Sequence, residues 1–236
     1  MNKIKKTIFL LNINNFAPEV TAMTYPLIKF YAKKIDADVH MITERKFPDF
    51  PVVYEKLQIY ELGQQMGNDW NIYIDSDALV HPETVDFTQI ITKDIVLHHG
   101  ADYASIRWVY DRYFLRDGRN IGSCNWFTIA SDWCIDLWHP LDIPIAEAIG
   151  NIYPTVDELI SIITPDHLID DYTLSRNIAK YGLKFTTVKN MLPKIGLGEA
   201  GFFHHLYTIT PEEKVKSLKD IIGKWKIEPY VNGTIS

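Results

Sequence analysis

The stretch Trp70-Asn-Ile-Tyr-Ile-Asp-Ser-Asp-Ala-Leu-Val80 decides how this chain is read. An apolar run drives into two acids, Asp75 and Asp77, one residue apart. On an extended chain, carboxylates at this spacing point the same way and lie roughly 6–7 Å apart. Hard divalent cations take oxygen ligands of this kind, with phosphate oxygens completing the shell. The stretch therefore predicts a metal–diphosphate site at the end of a strand. The plain alternative is a solvated turn after a buried strand.

Asp36-Ala-Asp38 has the same spacing and serves as an internal control. That pair precedes the apolar run Val39–Thr43, whereas Asp75 and Asp77 follow theirs. In open α/β sheets ligands bind outside the carboxyl ends of strands. Asp36 and Asp38 therefore sit at the opposite edge and are expected to close a helix-to-strand turn.

Outward from this stretch the pattern is that of a doubly wound start. Thr7–Ile13 reads as a buried strand. Pro18-Glu19 opens a helix, because proline suits the first turn and an acid suits the dipole there. Val20, Leu27, Tyr31 and Ile35 line its inner face, and Pro26 is expected to kink it. Val39–Thr43 is a second strand, and Phe47–Pro51 a loop. Tyr54–Met66 is a helix ended by Gly67, and Asn71–Ile74 a third strand. This β-α-β-α-β order implies parallel pairing.

Downstream, Asp94–Leu97 and Asn125–Ala130 read as strands and Ser131–Trp138 as a helix. Leu141–Pro154 is proline-punctuated and has no clear element. Asp157–Ile163 and Pro165–Tyr181 read as helices, Lys184–Val188 as a strand, and Gly196–Gly201 as a flexible loop. Thr210-Pro-Glu-Glu213 is a capping-box start, followed by the apolar stripe Val215, Leu218, Ile222 and Trp225.

The bulk numbers narrow the class. A chain of 236 residues, 47% hydrophobic, has ample material for one α/β domain. A net charge of −6 without a basic stripe argues against nucleic acid. A negative protein that handles phosphates needs a metal or local cations. Two cysteines, Cys124 and Cys134, imply no disulfide framework and fit a reducing, cytoplasmic setting. Met1–Asn12 imitates a signal peptide, but asparagines interrupt its short apolar core, so a first strand is the better reading. No run reaches membrane-spanning length.

Taken in order, these features resemble a family. The asparagine-rich end of strand one, the Tyr54-Glu-Lys-Leu-Gln-Ile-Tyr60 helix, the strand ending in Asp-Ser-Asp, the later Asp170-Asp171 helix and the late His204-His205 pair look like a GT-A-fold nucleotide-sugar glycosyltransferase. Tyr54 to Val80 is especially similar to the glycogenin-like and galactosyltransferase branches; the rest matches by order and pattern. The resemblance implies one α/β, GT-A-like domain over 1–236, with a mostly parallel central sheet flanked by helices. Residues 1–95 would be the nucleotide-binding half, 96–210 the donor-sugar and acceptor half, and 211–236 the C-terminal helix and tail.

Roles carry over by position. Asp77 would chelate Mn²⁺ or Mg²⁺, and Asp75 would touch the metal or the ribose. The ion would act as a Lewis acid on the leaving nucleoside diphosphate, with a UDP-sugar favoured as donor. His204 or His205 would add a metal ligand, with His98-His99 as a rival pair; for each histidine a structural role is the alternative. Asn12 and Asn14 would meet the nucleoside, against plain turn chemistry. Lys56 would lie near nucleotide or sugar, against a solvated helix lysine.

Leu168-Ile-Asp-Asp-Tyr-Thr-Leu-Ser175 resembles the acid-acid-x-x-Leu-Ser helix of many inverting relatives. Asp171 would be the general base on the acceptor hydroxyl, supported by Asp170. The position also fits the donor-orienting pair of retaining branches, and two acids early in a helix also suit its dipole. Asn120, in Arg119–Phe127, lies where relatives hold a segment against the donor sugar. Arg107, Arg112, Arg116 and Arg119 offset phosphates or form a solvated face. Trp108, Trp126 and Trp138 stack on a sugar or belong to the core.

The expected partners are thus a nucleotide sugar and a glycan, protein or lipid-linked acceptor, with an acceptor site that is either shallow or shared in a homo-oligomer. Two other readings compete. A phosphohydrolase of the haloacid dehalogenase type would use Asp75 as nucleophile, yet that fold begins with its nucleophile strand. A catalytically inactive nucleotide-binding scaffold would bind without turnover. A sugar nucleotidylyltransferase is disfavoured, because its glycine-rich, arginine-containing loop is absent after strand one of this chain.

Overall fold

The computed structural model describes residues 3–99, 126–152, 168–196, 202–205 and 210–235. Its centre is a six-stranded sheet in the order β2-β1-β3-β6-β5-β7. The strands are β1 (Lys6–Leu11), β2 (Asp38–Ile42), β3 (Trp70–Ile74), β5 (Ile95–His98), β6 (Phe127–Ser131) and β7 (Lys184–Thr187). β1 pairs in parallel with β2 and β3, and β5 with β7; β6 alone runs antiparallel, between β3 and β5. The mostly parallel α/β expectation therefore stands.

Strand alternation sorts the core onto two faces. Phe9 and Tyr73 face one layer with Tyr54, Leu57 and α4 (Ile169–Lys180). Ile8, Leu10, Ile72 and Ile74 face the other layer with α1 (Pro18–Lys34). The four residues expected on the inner face of α1 (Val20, Leu27, Tyr31 and Ile35) are all buried, and the helix continues through Pro26. Asp36, at φ 56°, makes the left-handed turn into β2, as the control pair requires.

Several bounds differ from the sequence reading. Tyr54–Met66 is not one helix: Val52–Gln58 is 3-10 and only Ile59–Met66 is α2, closed by left-handed Gly67. The tighter winding lets Tyr54, Glu55, Lys56 and Leu57 all be buried in succession. Glu55 fills its place by accepting from Arg45 Nε, the Lys46 and Phe47 amides and Gln58 Nε2. Asp132–Trp138 is likewise 3-10, and the punctuated stretch hides α3 (Ile145–Asn151). β7 runs into the short α5 (Val188–Met191). The proposed helix Asp157–Ile163, and residues 197–201 of the glycine-rich loop, lie outside the described residues.

A second, two-stranded sheet sits beyond the end of β3. β4 (Leu79–Val80) pairs antiparallel with β8 (Phe203–His204). The C-terminal α6 (Pro211–Trp225) begins with the expected capping box between Thr210 and Glu213. Its Leu218 and Ile222 pack on Val20, Leu27 and Leu79, and α7 (Glu228–Val231) follows.

Candidate metal and diphosphate site

Asp75 and Asp77 leave the end of β3 in a turn rather than an extended strand. The Ala78 amide donates to the Asp75 carbonyl at 3.0 Å, and Thr24 Oγ1 on α1 donates to the Ser76 carbonyl at 2.5 Å. The two-residue spacing brings the acids together through this turn, not through the pleat of a strand. β4 then pairs antiparallel with β8, which brings His205 to the same place.

The result is a three-residue cluster. One ligand atom each from Asp75, Asp77 and His205 lies within 4.8 Å of the others. His205 Nε2 is 3.5 Å from Asp75 Oδ2 and 3.2 Å from Asp77 Oδ1. His204, the other expected ligand, is not in the cluster. It occupies the register position opposite Leu79, near Trp225, so strand alternation turns it away. The rival pair divides as well. His98 is buried in the sheet core against Thr128, and burial holds its imidazole down to about 3. His99 lies against the indole of Trp126, and burial plus the charge of His205 hold it down to about 4.

Around the cluster stands a network of fixed polar groups. Tyr73 Oη donates to Asp75 Oδ1 at 2.5 Å, and burial together with Asp75 raises the phenol well above its ordinary range. Lys56 Nζ is 2.5 Å from Asp170 Oδ2, 3.6 Å from Asp75 Oδ1, and over the Tyr73 ring. Burial opposes the charge of Lys56, yet Asp170 and Asp75 outweigh it and hold the ammonium protonated. Asp170 also accepts from the Asp171 amide at 2.9 Å. Lys56 is thus a buried link between the Asp-Ser-Asp turn and the first turn of α4, not a solvated helix lysine.

Two participants, Tyr73 and Lys214, carried no sequence signal of their own, and Trp126 takes a role other than the sugar stacking considered for it. Tyr73 reads as strand core. Trp126 uses its carbonyl to accept from the Asp75 amide at 2.7 Å and its ring to stack on His205 at 4.9 Å. Lys214 in the first turn of α6 pairs with Asp77 Oδ2. Burial alone would raise the Asp77 carboxyl, but His205 and Lys214 overcome this and bring it to about 2.

The remaining expected residues scatter. Asn12 and Asn14 follow β1 at the same sheet edge; Asn12 is buried, its Oδ1 without a hydrogen-bond partner, and Asn14 is exposed at φ 56°. Trp138 is fully buried core, which removes it as a sugar platform. Asn120, Trp108 and the four arginines lie outside the described residues.

The residues fit a divalent ion. Two carboxylates and an imidazole suit Mn²⁺ or Mg²⁺ with phosphate oxygens completing the shell.

No protein-family model matches the chain, and no curated protein matches it in sequence. Among solved structures it is similar to a glycosyltransferase involved in the glycosylation of the major capsid of PBCV-1. The TM-score is 0.50 at 10% identity, over 92% of this chain and 99% of that one. A second structure, A197 from STIV, aligns at a TM-score of 0.35 and 18% identity, over 56% of this chain and 67% of that one, and carries no weight. The chain thus has a mixed α/β fold with a mostly parallel central sheet, similar over nearly its whole length to the fold of that glycosyltransferase.

Proposed function

We propose that this chain is a metal-dependent glycosyltransferase that moves a sugar from a nucleoside-diphosphate sugar, UDP-linked by preference, to an acceptor hydroxyl. The carrying observation is the convergence of Asp75, Asp77 and His205 at the carboxyl edge of β3, beside the buried Lys56–Asp170 pair. The similar glycosyltransferase involved in capsid glycosylation supports the reaction class, and the acceptor is read as a glycan, protein or lipid-linked hydroxyl. Residues 1–236 are read as one domain: 1–95 for the nucleotide, 96–210 for donor sugar and acceptor, and 211–236 as the C-terminal helix and tail.

Asp75, Asp77 and His205 would hold Mn²⁺ or Mg²⁺, which when bound supplies Lewis-acid stabilisation of the departing diphosphate. The chain's own residues prepare that site. His205 and Lys214 favour the ionised form of Asp77, the form that binds a cation. Tyr73 and Trp126 fix Asp75, the first through its hydroxyl and the second through its carbonyl. Lys56 fixes Asp75 and Asp170 together, so the metal turn and α4 cannot drift apart. Lys56 is accordingly a positioning residue rather than a nucleotide contact.

Asp170 is committed to Lys56, which leaves Asp171 as the acid assigned to the acceptor hydroxyl or the donor sugar. Asn12 is assigned to the nucleoside with Asn14. The buried Oδ1 of Asn12 suits a residue that accepts from a ligand rather than one that merely closes a turn. The phosphohydrolase reading draws no support: two strand–helix units precede β3, and Asp75 is held by Tyr73 and Lys56.

Calorimetry and thermal shift with UDP, GDP, CDP and their sugars, with and without Mn²⁺, on wild type and Asp77→Ala, test the proposal. Ligand that binds only the native state raises apparent stability by mass action. Manganese-dependent binding of one nucleotide, lost in Asp77→Ala, is expected. No response to any nucleotide would overturn the reading.

A further inference from the structure

Lys214 breaks a local rule. It lies in the first turn of α6, where the helix dipole disfavours a cation, while Glu212 and Glu213 just before it obey the dipole. Tertiary structure explains the exception. Leu218 and Ile222, four and eight residues further on, are buried against Val20, Leu27 and Leu79. Residues at this spacing share one helix face. The face that anchors α6 on β4 therefore also aims Lys214 at the turn immediately before β4.

There its ammonium pairs with Asp77 Oδ2, while His205 Nε2 lies 3.2 Å from the other carboxylate oxygen. The two side chains are only 12% and 18% exposed, so solvent screens the pair weakly. A divalent ion entering the cluster would draw on the same carboxylate. Two cations crowded onto one carboxylate repel, and the ammonium is the one on a flexible stem.

We propose that Lys214 is a resident counter-cation: it holds Asp77 in the metal-free protein and is displaced when a divalent ion loads, so that the C-terminal helix regulates occupancy of the site. The inference rests on the metal reading above and concerns only the ion, not the nucleotide. The charge of Lys214 keeps the acidic turn compact without metal, and the same charge lowers the affinity for free metal.

Two measurements on the full chain test it, both with Mn²⁺ alone as probe. The first is Mn²⁺ titration by calorimetry of wild type, Lys214→Met and Lys214→Arg. Lys214→Met should bind about tenfold more tightly than wild type, as expected for removal of one partly buried competing charge. Lys214→Arg, which keeps the charge, should stay near wild type. The second uses wild type only, so it survives a variant that fails to fold. Amine acetylation read by peptide mass spectrometry should rise at Lys214 when Mn²⁺ is added. Acetylation at Lys6, buried against Asp86 and away from the site, should not change.

If wild type and Lys214→Met bind Mn²⁺ equally and Lys214 labelling does not respond, the counter-cation idea is overturned while the metal site stands. If neither protein binds Mn²⁺, the metal reading itself fails and takes this inference with it.

Discussion

Replacing Lys56 by Met tests the link between the two acidic elements. Lys56 is 4% exposed and Asp170 is 3% exposed, with 2.5 Å between ammonium and carboxylate. Methionine fills similar space but leaves Asp170 as a buried carboxylate facing Asp75. Removing one partner of a buried pair costs about 3–5 kcal/mol. The reverse change, Asp170→Asn, should cost less, about 1–3 kcal/mol, because Lys56 keeps Asp75 at 3.6 Å. Removing both charges in Lys56→Met/Asp170→Asn eliminates the uncompensated charge and should recover about 2 kcal/mol or more relative to the summed single changes.

Urea unfolding with a common slope reads these differences. In a 236-residue chain each kcal/mol corresponds to roughly 2–4 °C, so Lys56→Met should melt about 6–20 °C below wild type. The reasoning is refuted if Lys56→Met loses less than about 1 kcal/mol, or if the double variant is simply additive.

Other perturbations probe other parts of the structure. His98 is held neutral at about 3 by burial, whereas an unfolded histidine titrates near 6.5. Its contribution is full above 6.5 and is lost as pH falls toward 3. His98→Gln should therefore flatten the acid limb by about 2 kcal/mol between pH 7 and pH 5; unchanged urea midpoint slopes would contradict this. Gly63→Ala places a methyl 2.4 Å from Asn71 Oδ1 and 3.1 Å from Ile135 Cδ1, so it should destabilise by about 1–3 kcal/mol despite alanine's better helix propensity. A more stable Gly63→Ala protein would show that the contact yields. Trp126→Leu removes the ring beneath His205 and should weaken Mn²⁺ binding about tenfold, with Trp126→Phe intermediate; equal affinity in all three proteins would dismiss the stack.

The chemistry of the site was more legible in the sequence than its geometry. Asp75 and Asp77 stood out because an apolar run ends in them, and the internal control at Asp36 and Asp38 behaved as edge logic requires. The capping box of α6 was equally plain, because its residues act on their own backbone. What stayed hidden depends on long-range placement. His204 and His205 are alike in sequence, and only the register of β8 on Leu79 separates them. Lys214 reads as the solvated end of an amphipathic helix until α6 is docked. Tyr73 reads as core, and it is core, yet its hydroxyl reaches Asp75. The pattern over Val52–Gln58 looked α-helical, whereas the segment is 3-10 with Tyr54, Glu55, Lys56 and Leu57 buried in succession, contacts that only the folded chain supplies.

The topology explains why these segments meet. β1, β3 and β5 end at one edge of the sheet, and antiparallel β6 begins there, so Asn12, Asp75, His99 and Trp126 all lie at that one edge. A sheet of parallel strands alone would have carried Trp126 to the far edge. Charge then decides what that edge can hold. Among the described residues, Asp75, Asp77, Asp170 and Asp171 bring four carboxylates near Lys56 and Lys214, so acids outnumber lysines there by two. Lys56 is buried between its partners and cannot leave without stranding Asp170. Lys214 can leave, because its stem is flexible and its partner Asp77 also has His205. The unequal freedom of these two lysines is what would let a divalent ion complete the charge at Asp77 while the Asp170–Lys56 link stays intact.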